Sequence, residues 1–371
     1  MSLASDPEKT ILYVAHYDPS TDLNGAKMRL LAMARIIERS GYRFVYLQSG
    51  DKSVYRLDSS GLFTCRGTFS DGTFFSSRNV ICVIFSWFWI FRYSDGILSH
   101  LRLSNPRPPI VLDTIDAVGI RQYREYLSTA TQTPTASFSL QEEIDQVNRA
   151  DWIIAITEEE REYFAAMTHF PVSVISYSED EAPTAQKIRH DHSALDGRAN
   201  YITGFFGSRN YANYHSAIRS AHVAWMSGRV MQFHLAGSVC DYGDLAARLR
   251  ARYGPWLNVL GRVDTPHDFY KSLDFTTNML AFGSGIKIKV VESLTYGVPT
   301  ICNYVAVEGL TRYERMRIGI WRAETALDYR ELLEGPLVSE VMKRVGVSTA
   351  GLIQRSRFGE EIRQFLMRID R

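Results

Sequence analysis

The sequence predicts an α/β protein made of two doubly wound, Rossmann-like halves. One observation is the opening of the chain. Residues 11–17, ILYVAHY, form a short apolar run suited to a buried parallel strand, and a turn and a helix-spaced apolar pattern over 26–40 follow. With the apolar run at 42–47 this is a βαβ unit of ordinary size. A second observation is that the same order restarts at 201–206, after the polar stretch 179–200. The third is length: 371 residues suffice for two hydrophobic cores.

Composition narrows the class. Hydrophobic residues make up 45% and charged residues 22%, as in soluble globular proteins. Forty-two basic against 41 acidic residues leave a net charge of +1, so no overall field favours nucleic acid. Cys65, Cys82, Cys240 and Cys302 are scattered, without metal-ligand spacing, and read as reduced thiols in a cytoplasmic protein with no metal site. The opening residues lack an apolar signal core. The longest apolar stretch, residues 80–91, is shorter than the about 20 residues of a membrane span. It reads as a buried strand entering a helix. Its Trp87, Phe88, Trp89 and Phe91 leave peripheral contact with a membrane interface open.

In chain order, the loop after the first strand carries His16 and the Asn24-Gly25 pair, at the strand end where open α/β sheets bind ligands. His16 suits a cleft residue or a structural one, and Asn-Gly suits an ordinary turn equally well. No G-x-G-x-x-G fingerprint occurs there, which argues against a nicotinamide dinucleotide. Residues 50–75 read as irregular. The strand 108–112 ends in Asp113-Thr114-Ile115-Asp116, followed by a helix with Arg121, Tyr123, Arg124 and Tyr126. Asp113 and Asp116 are candidate catalytic bases, or caps of that helix. Arg121 would hold an acidic acceptor or pair with Asp116. A helix over 140–150, a strand over 151–157, a helix over 158–167 and a strand over 172–176 complete the half.

The second half continues from its first strand through the loop GSRNYANYHS to a helix ending near 227, a strand over 231–237 and a helix over 241–252. A strand over 257–260, a short helix at 269–273 and an apolar run at 275–281 come next. The chain then reaches AFGSGIKIKVVESLTYGVPTIC at 281–302. Gly283, Ser284 and Gly285 make a small-residue loop, Ile286, Val290, Val291 and Leu294 a helical apolar face, and Gly297 a helix stop. Strand, glycine loop and helix N-terminus form an anion site. At about 100° per residue, Lys289, Glu292 and Tyr296 share one exposed stripe. Lys289 beside phosphates and Glu292 beside ribose hydroxyls would suit a nucleoside diphosphate. A surface i,i+3 ion pair fits the same spacing. An edge strand at 317–321 and helices at 325–332 and 352–369 close the chain.

GSGIKIKVVESLTYGVPT, with Val307-Glu308-Gly309-Leu310, resembles the donor-site signature of retaining glycosyltransferases of family 4. The subgroup pattern G-x-G-x-(K/R)-x-K-x-x-E matches 283–292. Glu292 takes the place of the second Glu of the family's Glu-(seven residues)-Glu motif, whereas Ser284 stands where the first would be. The resemblance implies the GT-B architecture, two Rossmann-like domains facing a cleft. It divides the chain into an acceptor-binding domain at 1–178, a linker at 179–200, a nucleotide-sugar domain at 201–350 and a helix at 351–371 crossing back to the first domain.

It implies further that Asn24 and Gly25 lie against donor phosphates or acceptor, and that Asp113 to Asp116 with Arg121 belong to the catalytic site; His16 joins them as a candidate only by its place at the strand end. Arg209 and the Gly261-Arg262-Val263 turn would face the donor, with Gly283, Ser284, Gly285, Lys287, Lys289 and Glu292. The implied activity is transfer of a hexose from a UDP- or GDP-sugar to a saccharide or lipid-linked acceptor in cell-surface polysaccharide synthesis, without metal or cofactor. The implied setting is the cytoplasm or the inner face of the membrane. An inactive nucleotide-sugar-binding protein and a nucleotide-sugar epimerase of the same fold are the alternatives.

Overall fold

The structure is a computed structural model that describes residues 9–20, 25–50, 52–68, 79–87, 94–129, 140–176, 201–310, 319–335 and 350–370. The chain forms two compact units. One comprises Met1–Gly119, Ala136–Asp180 and Arg355–Arg371, the other Ile120–Thr135 and Glu181–Gln354. The stretch 179–200 read as a linker lies outside the described residues. No helix among the described residues is long and apolar enough to cross a membrane.

The first unit is built on an eight-stranded sheet. Its strands are β1 (Thr10–Ala15), β2 (Arg43–Gln48), β3 (Ser53–Leu57), β4 (Phe63–Thr68), β5 (Val80–Ser86), β6 (Ile110–Asp113), β7 (Trp152–Ala155) and β8 (Val172–Val174). They lie in the order β4-β3-β2-β1-β5-β6-β7-β8. β1 and β6 are buried along their whole length, which is why they read as continuous apolar runs. The sequence expectation of irregular chain at 50–75 is corrected here. β3 pairs antiparallel with β2, and β4 antiparallel with β3. Their turn is shaped by Asp58, whose Oδ1 accepts from the Ser60 and Leu62 amides, and by Gly61 at φ 75°. The hairpin hides from a periodicity reading because Val54, Tyr55 and Phe63 are its only buried residues.

The helix Ala350–Ile369 belongs to this unit from Arg355 onward. Phe358, Ile362, Phe365 and Leu366, spaced i, i+4, i+7 and i+8, enter the same core as Ile11, Leu30, Ile37 and Phe44. Polar links fasten it. Lys9 Nζ bonds Asp370 at 2.6 Å, Tyr42 Oη donates to Asp370 at 2.9 Å, and Glu361 accepts from the Ser176 amide and hydroxyl, both at 2.7 Å.

The second unit has a six-stranded, wholly parallel sheet of β9 (Tyr201–Phe206), β10 (Val230–Ala236), β11 (Leu257–Gly261), β12 (Phe275–Asn278), β13 (Thr300–Cys302) and β14 (Ile320–Arg322). The order β11-β10-β9-β12-β13-β14 makes the chain reverse direction between β9 and β12. The first sheet has its own reversal between β1 and β5. Ligands of open α/β sheets bind outside the strand carboxyl ends at such reversals.

Candidate functional site

The reversal point of the second unit is formed by the ends of β9 and β12. After β12 the backbone is pinned before it turns. The Met279 amide donates to Ser220 Oγ, the Ala281 amide to Ser216 Oγ, and Asn303 bonds both the amide and the carbonyl of Leu280. Gly283 at φ 143° and Gly285 at φ 65° then adopt conformations that a side chain resists. The amides of Gly283, Ser284, Gly285 and Ile286 have no hydrogen-bond partner among the described residues. Ser284 Oγ is buried in the same loop, also without a partner. Unpaired amides at a helix start, with a buried hydroxyl among them, suit an anion.

The carbonyls of the loop are occupied. Lys287 is buried, and its Nζ donates to the Ser284 oxygen at 2.8 Å and the Gly285 oxygen at 2.7 Å. Arg124 Nη1 donates to the Gly283 oxygen at 2.7 Å and to Glu308 Oε2 at 2.6 Å. Arg124 lies in the segment 120–135 that folds with this unit. Lys287, expected among the donor-binding cations, is therefore engaged by the loop itself.

The helix Ile288–Thr295 follows. Ile286, Val290, Val291 and Leu294 are buried as their spacing implied, and Gly297 at φ 78° ends the helix with its amide on the Leu294 carbonyl. The expected exposed stripe is corrected in part. Tyr296 is buried, stacked on Tyr270 with centroids 4.9 Å apart, while Lys289 and Glu292 are half-buried. Glu292 Oε2 accepts from Tyr270 Oη at 3.0 Å. Lys289 Nζ lies 5.5 Å from the centre of the Phe205 ring. Desolvation pulls its pKa down to about 8, Lys287 pushes the same way, and Glu292 opposes.

The neighbouring strand ends are knitted together. The Gly207 amide bonds the Ala236 carbonyl, the Gly237 amide the Gly261 carbonyl, and the Val239 amide the Gly207 carbonyl. Asn210 caps the helix Tyr211–Met226 by accepting from the Asn213 amide. Arg209 is exposed at this edge, its amide on Ser238 Oγ. Arg262 is exposed and pairs with Asp241 at 3.3 Å.

In the first unit, His16 follows β1 and Trp87 follows β5, the two strands at the reversal, and their rings lie 6.0 Å apart. His16 is exposed, and partial desolvation lowers its pKa. Trp87 has φ 74° and Ile115, between the two aspartates, φ 56°. A β-branched residue in the left-handed region is strained, and strain of that kind collects at functional sites. Asp113 is fully buried. Its Oδ2 accepts from Arg29 Nη1 at 2.6 Å and Tyr13 Oη at 2.9 Å. That placement makes Asp113 the anchor of a buried ion pair. Asp116 is half-buried and sits near Glu143. The helix Val118–Thr129 receives carboxylates at its amino end from Glu143, on the Val118 and Gly119 amides, and from Glu160, on that of Ala117. Arg121 is half-buried on this helix, Gly25 begins the helix Gly25–Arg39, and Asn24 lies outside the described residues.

Sequence reasoning passed over Arg124, Tyr270, Phe205 and Trp87 as site residues. The first three reach the loop or the following helix from distant segments, which no local spacing reveals. Trp87 had a signal, its position at the end of an apolar run.

No family model matches the chain, and comparison with curated proteins finds no match. Solved structures do match. Sucrose-phosphate synthase from Thermosynechococcus elongatus aligns with a TM-score of 0.68 at 12% identity, over 98% of this chain and 99% of that one. Anabaena HepE in complex with UDP-glucose aligns with a TM-score of 0.63 at 12% identity, over 96% and 99%. A glycosyltransferase from Rickettsia africae aligns at 0.62 and 12% identity, over 98% of each chain. Two open α/β sheets, each reversing at its first strand, a terminal helix packed into the first unit and these full-length alignments establish that the chain has the GT-B fold.

Proposed function

We propose that the protein is a glycosyltransferase, transferring a hexose from a UDP- or GDP-sugar to a saccharide or lipid-linked acceptor. The observation that carries this reading is the run of amides from Gly283 to Ile286 without a partner among the described residues, with the buried Ser284 hydroxyl, at the reversal point of a parallel sheet. Sugar transfer breaks the bond between the anomeric carbon and the phosphate oxygen, and the electron pair leaves with the nucleoside diphosphate. The loop amides and Lys289 would stabilise that charge at little reorganisation cost and without a metal. Glu292, oriented by Tyr270, would accept hydrogen bonds from the ribose. His16 and Asp116 are the groups assigned to the acceptor hydroxyl and its proton. Asp113 is held by Arg29 and Tyr13 and is left out of that role.

Support for a UDP-sugar donor comes from HepE, whose structure holds UDP-glucose. Retention at the anomeric carbon and a role in cell-surface polysaccharide, at the cytoplasmic face of a membrane, follow from the resemblance of 283–292 to family 4. Thermal melting against UDP, GDP, ADP, CMP and dTDP should show a raised Tm with UDP or GDP, because a ligand of the folded state alone stabilises it. Glu292→Ala should weaken that nucleotide by about tenfold or more. An unchanged Kd removes Glu292 from the site. Binding without transfer, assayed with a chelator present, would favour an inactive nucleotide-binding protein, which Ser284 in place of a Glu brings into view.

A further inference from the structure

We propose that Lys287, Arg124 and Glu308 are positioning residues that set the peptide planes of the glycine loop for a pyrophosphate without touching it. The inference rests on the phosphate reading of that loop and deepens it. Three successive carbonyls, of Gly283, Ser284 and Gly285, each accept from a cation: Arg124 for the first, Lys287 for the other two. A trans peptide is planar, with its C=O and the following N–H pointing in opposite directions. Drawing these three oxygens onto the cations therefore turns the amides of Ser284, Gly285 and Ile286 away from them. Those amides have no partner among the described residues.

A loop with glycine at 283 and 285 has no intrinsic preference for this arrangement and would lose entropy on adopting it. Two cations held close together need a counter-charge. Glu308 supplies it, 2.6 Å from Arg124 Nη1 and 3.6 Å from Lys287 Nζ, with its side chain only 9% exposed. The ammonium of Lys287 is spent on two carbonyls and this carboxylate, so its charge serves the loop. Lys289, two residues on, is the cation assigned to phosphate.

The two possible uses of the cluster give opposite signs at Glu308. If Lys287 and Arg124 acted on phosphate through charge alone, Glu308→Gln would remove a nearby negative charge and tighten diphosphate binding. If they position the loop, the same substitution loosens the clamp and weakens binding.

Titration calorimetry of UDP against uridine, and of GDP against guanosine, reads the difference. Lys287→Met and Glu308→Gln should each weaken the bound diphosphate by about tenfold or more, the worth of a misaligned charge-assisted hydrogen bond, and leave the nucleoside unchanged. Thermal melting of each variant tests folding. Arg124→Gln, at a partly exposed position, carries the test if Lys287→Met fails to fold. A folded Glu308→Gln that binds the diphosphate as tightly as wild type, or more tightly, overturns the positioning role alone. A wild-type protein that binds neither diphosphate overturns the phosphate reading and this one with it.

Discussion

Lys289 lies over the face of Phe205, and the loss of water around it brings its pKa from 10.5 down to about 8. The charged form is disfavoured by desolvation in the folded chain, so Lys289 costs stability below pH 8, and the cost is relieved as pH rises from about 8 towards 10.5. A bound diphosphate reverses the preference, because its negative charge favours the ammonium. UDP affinity should therefore be level below pH 8 and decline above it, as protons must be taken up to restore the cation. Calorimetry between pH 6.5 and about 9.5 measures this. Lys289→Met should bind more weakly at pH 7 and lose the decline above pH 8. An equal decline in the variant would assign the titration to another group. The sequence marks Lys289 and Glu292 by their shared helix face. It does not mark Tyr270, which orients Glu292, because the two meet only when separate helices pack.

At the scale of elements, the carboxyl edge of the second sheet depends on close approach between loops. Gly237 has φ 91°, and a Cβ there would overlap the Gly207 carbonyl oxygen, part of a neighbouring loop's backbone that cannot swing aside. Gly237→Ala should lower unfolding free energy by upwards of about 2 kcal/mol in a denaturant titration. It should also weaken nucleotide binding as the β9 loop shifts. A variant of wild-type stability would show that the loops are not in contact. Elements with strong local signals were legible: the glycine turn at 283–285, its helix and the stop at Gly297 all follow from residue type. The β3–β4 hairpin was not, since strands with few buried residues lack the alternation that marks a half-buried strand. Asp113 and Asp116 looked alike in sequence, each at the end of an apolar strand. Arg29, 84 residues from Asp113, separates them by turning one carboxylate into a buried ion pair.

For the molecule as a whole, the first unit is closed by residues from the other end of the chain. Phe358, Ile362, Phe365 and Leu366 are almost wholly buried in its core. Ending the chain at residue 354 would strip that core, and large-to-small losses of Phe alone cost about 3–5 kcal/mol each. The truncated protein should show no cooperative melting of the first unit and should bind a hydrophobic dye. A truncation that melts like the full chain would mean the helix is dispensable to that core.

By itself the sequence determined that the chain is two α/β halves. Apolar runs, helical spacing and glycine stops are local properties, and each half must bury its own strands. It also marked where a glycine loop joins a strand to a helix start, because strand, glycine and helix follow one another along the chain. Tertiary structure decided the surroundings of each polar group. Lys287 against Lys289, and Asp113 against Asp116, differ only in the company brought to them from distant segments. The physical reason is that a charge's role is set by its desolvation and its partners, and both arise only when the chain packs.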